Sequence, residues 1–181
     1  MKISKKLPQF NNKKVLLIIS GQLISDFYMV HNGIIKKIKK VQRKQPRYSD
    51  REGHFLVRGR GRLYGSGSVY EAKKNVTREK FKKDLARATI NTVNKEKIDE
   101  IYFFAPKHLL PYFQEELPLR IKKLIKFDFR GNYTNKHPFK LLKKIKKRKL
   151  ATKNKKGLLI KNLDRFKEVK KLLKRKKVGP K

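Results

Sequence analysis

Three stretches predict an α/β domain with a mixed sheet. Val15–Ser20 (VLLIIS) and Ile98–Ala105 (IDEIYFFA) are short apolar runs rich in β-branched and aromatic residues, the pattern of strands buried on both faces. Leu23–His31 and Ile34–Val41 flank Asn32-Gly33, a pair favoured in the type I′ turn of a β-hairpin. A helical pattern follows Thr77 and precedes the second apolar run. The order strand, hairpin, loop, helix, strand, helix, strand, helix places parallel and antiparallel neighbours in one sheet.

Composition bounds the partners. The 181 residues carry 52 Lys+Arg against 14 Asp+Glu, a formal charge of +38. Such a field repels itself and calls for a polyanion, nucleic acid first. No apolar run approaches the roughly 18–20 residues of a membrane span, and MKISKKLPQF lacks the apolar core of a secretory signal. The absence of cysteine excludes disulfides and thiolate metal sites, so a cytoplasmic setting is expected. The length suits one domain with extensions.

In chain order, residues 1–14 form a basic, loosely held arm broken by Pro8. The first strand and the hairpin follow. The second hairpin arm, IIKKIKKV, alternates imperfectly, so Lys36, Lys37, Lys39 and Lys40 either guard a sheet edge or meet nucleic acid. Residues 42–55 make a polar connection. Val69 and Tyr70 form a short extended piece, and Thr77 caps a helix running to about Asn94, with Glu79 in its first turn and Val76 and Phe81 as a hydrophobic staple. Phe81, Leu85, Ala88 and Val93 supply its apolar stripe, and Lys80, Lys83 and Arg87 its basic one. After Pro106, residues 107–116 read as a helix with Leu109, Leu110 and Phe113 inward. Residues 119–125 read as a short helix or turn, and 126–129 as a last strand. Pro138 opens a further helix, at a position where its missing N–H costs little.

The stretch RGRGRLYGSGS (Arg58–Ser68) is the most informative segment for function. Four glycines alternate with three arginines, a tyrosine and two serines. Glycine lets a backbone approach a ligand closely, and arginine presents a planar fork of donors that fits phosphate and stacks on bases. A plain linker would be padded with serine rather than guanidinium groups. The stretch is therefore read as an exposed basic loop contacting nucleic acid, through Arg58, Gly59, Arg60, Gly61, Arg62, Tyr64, Gly65 and Gly67. Lys80, Lys83 and Arg87 join them from the helix. Lys143, Lys144, Lys146, Lys147 and Arg148 join from the start of the tail.

That tail is compositionally distinct. Residues 136–181 hold 21 Lys+Arg against Asp164 and Glu168, a net of +19. Leu163, Phe166, Val169, Leu172 and Leu173 keep helical spacing within it, describing an amphipathic basic helix. The expected organisation is an arm (1–14), an α/β domain (15–145) and a lysine-rich tail (146–181).

The ordered set of elements resembles the bacterial release-factor-like family, related to the middle domain of archaeal and eukaryotic class 1 peptide chain release factors. Some single-domain members of that family are labelled host attachment proteins. The resemblance spans roughly residues 14–145 and is carried by several stretches. They are the VLLIIS strand with its hairpin, SDREGHF (Ser49–Phe55), the Gly/Arg stretch, the helix after Thr77, IDEIYFFAPKHLLPYFQEELP (Ile98–Pro118) and FRGNYTNKHPFKLL (Phe129–Leu142). It implies a ribonuclease-H-like sheet and a ribosomal or rRNA/tRNA partner, with the Gly/Arg stretch in the place of the release factor's GGQ loop. No Gly-Gly-Gln occurs anywhere in the chain, and the nearest glutamine, Gln45, precedes that stretch. The resemblance therefore implies RNA binding without the usual peptidyl-tRNA hydrolysis. A ribosome-rescue peptidyl-tRNA hydrolase with a non-GGQ loop is the alternative. A surface attachment role is the third, disfavoured by the missing export signal.

Other chemistry finds little support. His31, His54, His108 and His137 are dispersed without metal-ligand spacing. A two-metal nuclease needs clustered carboxylates, and VLLIIS carries none; Asp26, Asp84, Asp99 and Asp128 read as partners of lysines. A dinucleotide fingerprint is rejected because some ten residues separate Gly67 from a helix start at Thr77. No cofactor, metal or catalytic residue is assigned.

Overall fold

The computed structural model describes residues 1–45, 56–59, 62–65 and 69–154, with side chains excluded at 56–59, 62–65 and 69–73. In chain order the strands and helices are β1 (Val15–Ser20), β2 (Ile24–His31), β3 (Ile34–Gln42), β4 (Leu56–Gly59), β5 (Arg62–Gly65), α1 (Val69–Glu96), β6 (Glu100–Ala105), α2 (Leu110–Glu115), α3 (Leu119–Leu124) and β7 (Ile125–Arg130). A further helix, α4, occupies 138–154. Two compact units are distinguished, Met1–Lys5 with Gln9–Lys136, and Lys6–Pro8 with His137–Lys181.

The first unit is built on a five-stranded sheet of order β3-β2-β1-β6-β7. β2 runs antiparallel to β1 and β3, whereas β6 is parallel to both β1 and β7. One reversed strand in an otherwise parallel five-stranded sheet of this order is the ribonuclease-H-like arrangement. β1 and β6 lie centrally and are buried along their whole lengths, which is why their sequences are continuously apolar. On one face Leu16, Ile18, Phe27, Ile101 and Phe103 pack with Phe81, Leu85 and Ala88 of α1 and with Leu110 and Phe113 of α2. On the other, Tyr102 and Phe104 meet the rings of Phe10, Phe127, Phe129 and Tyr133, the Phe104–Phe129 pair stacked at 4.4 Å.

The hairpin turn forms as its sequence requires. Asn32 and Gly33 both have positive φ, 44° and 73°, the signature of type I′. β3 carries a bulge: Tyr28 pairs with Lys37 and Phe27 with Lys39, leaving Ile38 without an opposite residue. Ile38 and Val41, three residues apart, can then both reach the α1-side core. In an unbroken strand that spacing would turn them to opposite faces. The imperfect alternation of IIKKIKKV is the sequence trace of this bulge.

Several expectations need correction. α1 starts at Val69, not Thr77, so Val69 and Tyr70 are helical and Thr77 is an interior residue. Glu71, Ala72, Lys73 and Lys74 are strong helix formers and carry the helix upstream of Thr77. The proposed staple fails with it, because Val76 is 52% exposed. The N-terminal arm is not loose: Ile3 N–H donates to Gly33 O at 2.7 Å, Ile35 N–H donates to Met1 O at 2.9 Å, and Ile3 and Phe10 are buried. An edge strand with unpaired backbone groups and two apolar anchors hold it. The helix after Pro106 is shorter than expected, residues 107–109 forming a turn. The amphipathic helix expected over 163–173 lies outside the described residues.

Candidate nucleic-acid interface

α1 positions the first group of cations. Its 28 residues span about 42 Å at 1.5 Å per residue. Phe81, Leu85, Ala88 and Val93 are buried, and this fixes the opposite stripe toward solvent. Lys80, Lys83 and Arg87 are all exposed on that stripe, at i, i+3 and i+7. They therefore lie within about two turns of one another.

β3 positions the second group. It is an edge strand, and Lys36, Lys37, Lys39 and Lys40 are exposed along it. Lys37 is committed to structure: its Nζ lies 2.7 Å from Asp26 Oδ1 and 5.8 Å from the centre of the Tyr28 ring. The hydrogen bond to Asp26 raises its pKa against the opposing effect of burial. Lys36, Lys39 and Lys40 make no ion pair among the described residues.

The fold joins the two groups. Arg43, just past β3, donates from Nε to Asp84 Oδ2 of α1 at 2.7 Å. Further along, Ile38 and Lys39 face Asn91, Thr92, Lys95 and Glu96 across a cleft of about 190 Å³. Asp84, Arg87, Asn91 and Lys95 follow one another along the same side of α1, so Arg87 lies between the two tie points. Lys39 pairs with Phe27 and Lys36 with Met29, so these two lysines share the α1 side of the sheet with Lys80, Lys83 and Arg87, whereas Lys40, paired with Asp26, lies on the opposite face with Lys37. This neighbourhood escaped the sequence reading, because nothing local links Arg43 to Asp84, 41 residues away.

The Gly/Arg stretch is not a featureless loop. β4 and β5 form an antiparallel two-stranded ladder pairing Arg58 with Leu63 and Gly59 with Arg62. Arg58 and Gly59 are on β4, and Arg62, Tyr64 and Gly65 are on β5. Arg60 and Gly61, between the strands, and Gly67 lie outside the described residues. The β-competent pairs Leu56–Val57 and Leu63–Tyr64, flanking a Gly-containing segment, are the signal that could have shown a hairpin. α1 starts only two residues after Gly67, so the spacing argument against a dinucleotide site fails. β5 nevertheless belongs to an antiparallel hairpin, whereas that fingerprint belongs to a parallel βαβ unit.

In the second unit, Lys143, Lys144, Lys146, Lys147 and Arg148 are exposed on α4, while Leu141, Leu142 and Ile145 are buried. Lys146 Nζ donates to Lys6 O at 2.8 Å.

The four aspartates Asp26, Asp84, Asp99 and Asp128 are occupied individually, and among the described residues only Asp26 has a lysine side chain as its partner. Asp26 pairs with Lys37, Asp84 with Arg43, Asp99 Oδ2 accepts the Lys14 N–H at 2.8 Å, and Asp128 Oδ1 accepts from the Gln114 amide at 2.9 Å. Among the described residues no three His, Asp or Glu side chains are grouped as metal ligands would be. None of the described helices is long and apolar enough to cross a membrane.

No protein-family model matches the chain, and no curated protein sequence matches it significantly. Among solved structures it is similar to the crystal structure of archaeal translation termination factor aRF1. The TM-score is 0.48 at 13% identity, covering 71% of this chain and 33% of that one. A second structure, described as an archaeal protein, aligns with a TM-score of 0.37 at 12% identity, covering 80% of this chain and 41% of that one. The chain thus spans about a third and two fifths of those proteins. At such identities neither neighbour speaks to activity.

Proposed function

We propose that this chain is a non-enzymatic, cytoplasmic factor of the translation-factor-like kind that binds the ribosome or its RNAs, rRNA or tRNA, mainly through phosphate. The observation that carries the reading is the shared basic surface: Lys36 and Lys39 of β3 beside Lys80, Lys83 and Arg87 of α1, tied together by Arg43–Asp84. The Gly/Arg hairpin and the cations of α4 extend the supply of phosphate contacts. Regular spacing of lysines and arginines along a helix and a strand follows a backbone of charges and reads no sequence. Peptidyl-tRNA hydrolysis is not part of the proposal, since Gly-Gly-Gln is absent.

Salt dependence tests it. If the five cations of this surface each neutralise one phosphate, affinity for single-stranded RNA falls log-linearly with salt, with a slope of about −3.5. Between about 50 and 200 mM salt that amounts to a loss of about a hundredfold. Co-sedimentation with ribosomes across the same range should follow the same trend. An affinity unchanged over that range would sink the proposal.

A further inference from the structure

A cleft of about 260 Å³ opens beside α1, lined by Gln22, Asn75, Arg78, Glu79, Leu109 and Tyr112, with His108 at its side. Gln22 lies two residues past the end of β1 and His108 three past the end of β6, two strands that pair in parallel. The cleft therefore lies beyond the carboxyl ends of adjacent parallel strands, where open α/β sheets present their ligand-binding loops. Tyr112 and Leu109 give it an apolar wall. The Tyr112 hydroxyl donates to Glu79 Oε1 at 2.9 Å, which fixes the carboxylate at the rim. The side chains of Gln22, Asn75, Arg78 and His108 form no hydrogen bond or ion pair among the described residues, so two amides, a guanidinium and an imidazole face one space.

We propose that this cleft receives one unpaired nucleotide of a bound RNA, with the base against Tyr112 and Leu109 and its phosphate on Arg78. The inference rests on the RNA-binding reading above and gives it a point of base recognition. Size argues for one nucleotide, because pockets for larger organic ligands run from about 300 to 1,000 Å³. Charge argues against a polyphosphate, since one guanidinium is offset by the Glu79 carboxylate. The mixed donors and acceptors of two amides, an imidazole and a carboxylate suit the edge of a base, which presents both. Unpaired RNA bases are read in this way, splayed against an apolar or aromatic wall and hydrogen-bonded along an edge.

Nuclear magnetic resonance titration of the full chain with the four nucleoside 5′-monophosphates tests the cleft, with ribose 5-phosphate as control. At least one nucleotide is expected to saturate with millimolar affinity, shifting the signals of Gln22, Asn75, His108 and Tyr112. Ribose 5-phosphate should bind about tenfold more weakly, the size of one lost strong contact. The double variant Gln22→Ala/Asn75→Ala should lose about tenfold as well. Both residues are exposed, so the fold should be retained. Arg78→Lys, which keeps the charge but not the fork, should weaken nucleotide and ribose 5-phosphate alike. If no nucleotide saturates, or ribose 5-phosphate binds as tightly as the nucleotides, the proposal is overturned. A long single-stranded RNA titrated in parallel separates the two readings. Failure of the long RNA alone removes the basic-surface reading, and failure of the nucleotides alone removes the cleft.

Discussion

Lys82 Nζ lies 3.0 Å from Glu115 Oε2 and 4.5 Å from the centre of the Tyr112 ring, on a side chain only 8% exposed. A lysine of α1 thus lays its aliphatic stem under α2 and brings its ammonium out to the rim, where Glu116 Oε1 also approaches to 3.3 Å. Burial lowers the pKa of this ammonium. The hydrogen bonds to Glu115 and Glu116 outweigh burial, and the net shift is upward.

Most of the worth of Lys82 should therefore lie in its stem. Lys82→Met keeps the stem and should cost less than about 1 kcal/mol, the usual range of a solvent-facing ion pair. Lys82→Ala should cost about 1–3 kcal/mol through lost packing. Because the folded pKa is raised, the charged contribution is complete below the unfolded value of about 10.4 and fades as pH rises through the folded one. Urea denaturation decides this, and equal losses for the two variants would show that the charge dominates.

Two tyrosines set the alkaline limit. Tyr112 is pushed up to about 12, by burial first and then by its hydrogen bond to Glu79. Tyr102 is pushed up further, by burial and by donating to Glu100 Oε2 at 2.9 Å. The folded chain holds these protons where the unfolded chain releases them, so stability should fall as pH rises above about 10. Ultraviolet titration should show both tyrosines ionising late, and Tyr112→Phe should remove the transition near 12. A native protein whose tyrosines all ionise together near 10 would refute the assignment.

Gly33 should resist substitution. At φ 73° an added Cβ is strained, and it would stand 2.5 Å from Gln9 Oε1. Gly33→Ala should cost about 1–2 kcal/mol, the penalty of a left-handed L-residue. A variant melting at the parent's temperature would show that the turn can change type.

The basic surface and the Gly/Arg hairpin can be separated by mutation. Replacing Lys80, Lys83 and Arg87 together by alanine should lower RNA affinity, and flatten the salt slope by about 2 to 3. Stability should hardly change, since all three are exposed. Replacing Arg58, Arg60 and Arg62 should also lower affinity, by removing three bidentate donors. If that triple variant binds like the parent, the hairpin is a structural connection. Peptide release from programmed ribosomes by the parent protein would instead favour the rescue-hydrolase alternative, with Tyr64, Ser66 and Ser68 the first residues to replace.

Removing residues 155–181 should weaken ribosome association while leaving circular dichroism and the thermal transition of 1–154 in place. All the buried residues described belong to the shortened chain. An unfolded product would mean that the tail contributes to the fold.

The central strands, the Asn32-Gly33 turn and the basic stripe of α1 were legible in the amino-acid order because each is a local matter. Unbroken apolar runs mark strands covered on both faces, a positive-φ pair marks its turn, and a 3.6-residue period separates Phe81 and Leu85 from Lys80 and Lys83. Tertiary structure settled what depends on distant partners. The bulge at Ile38 exists because the α1-side core takes in both Ile38 and Val41, and the arm is held because β3 offers it an open edge. The start of α1 at Val69 was hidden by an apparent cap at Thr77, eight residues downstream, although the helix formers Glu71, Ala72, Lys73 and Lys74 lie between the two. The meeting of Arg43 with Asp84, and of Gln22 with His108, joins residues 41 and 86 positions apart. No periodicity reaches that far. Chain folding alone turns scattered lysines into a surface and scattered polar residues into a cleft.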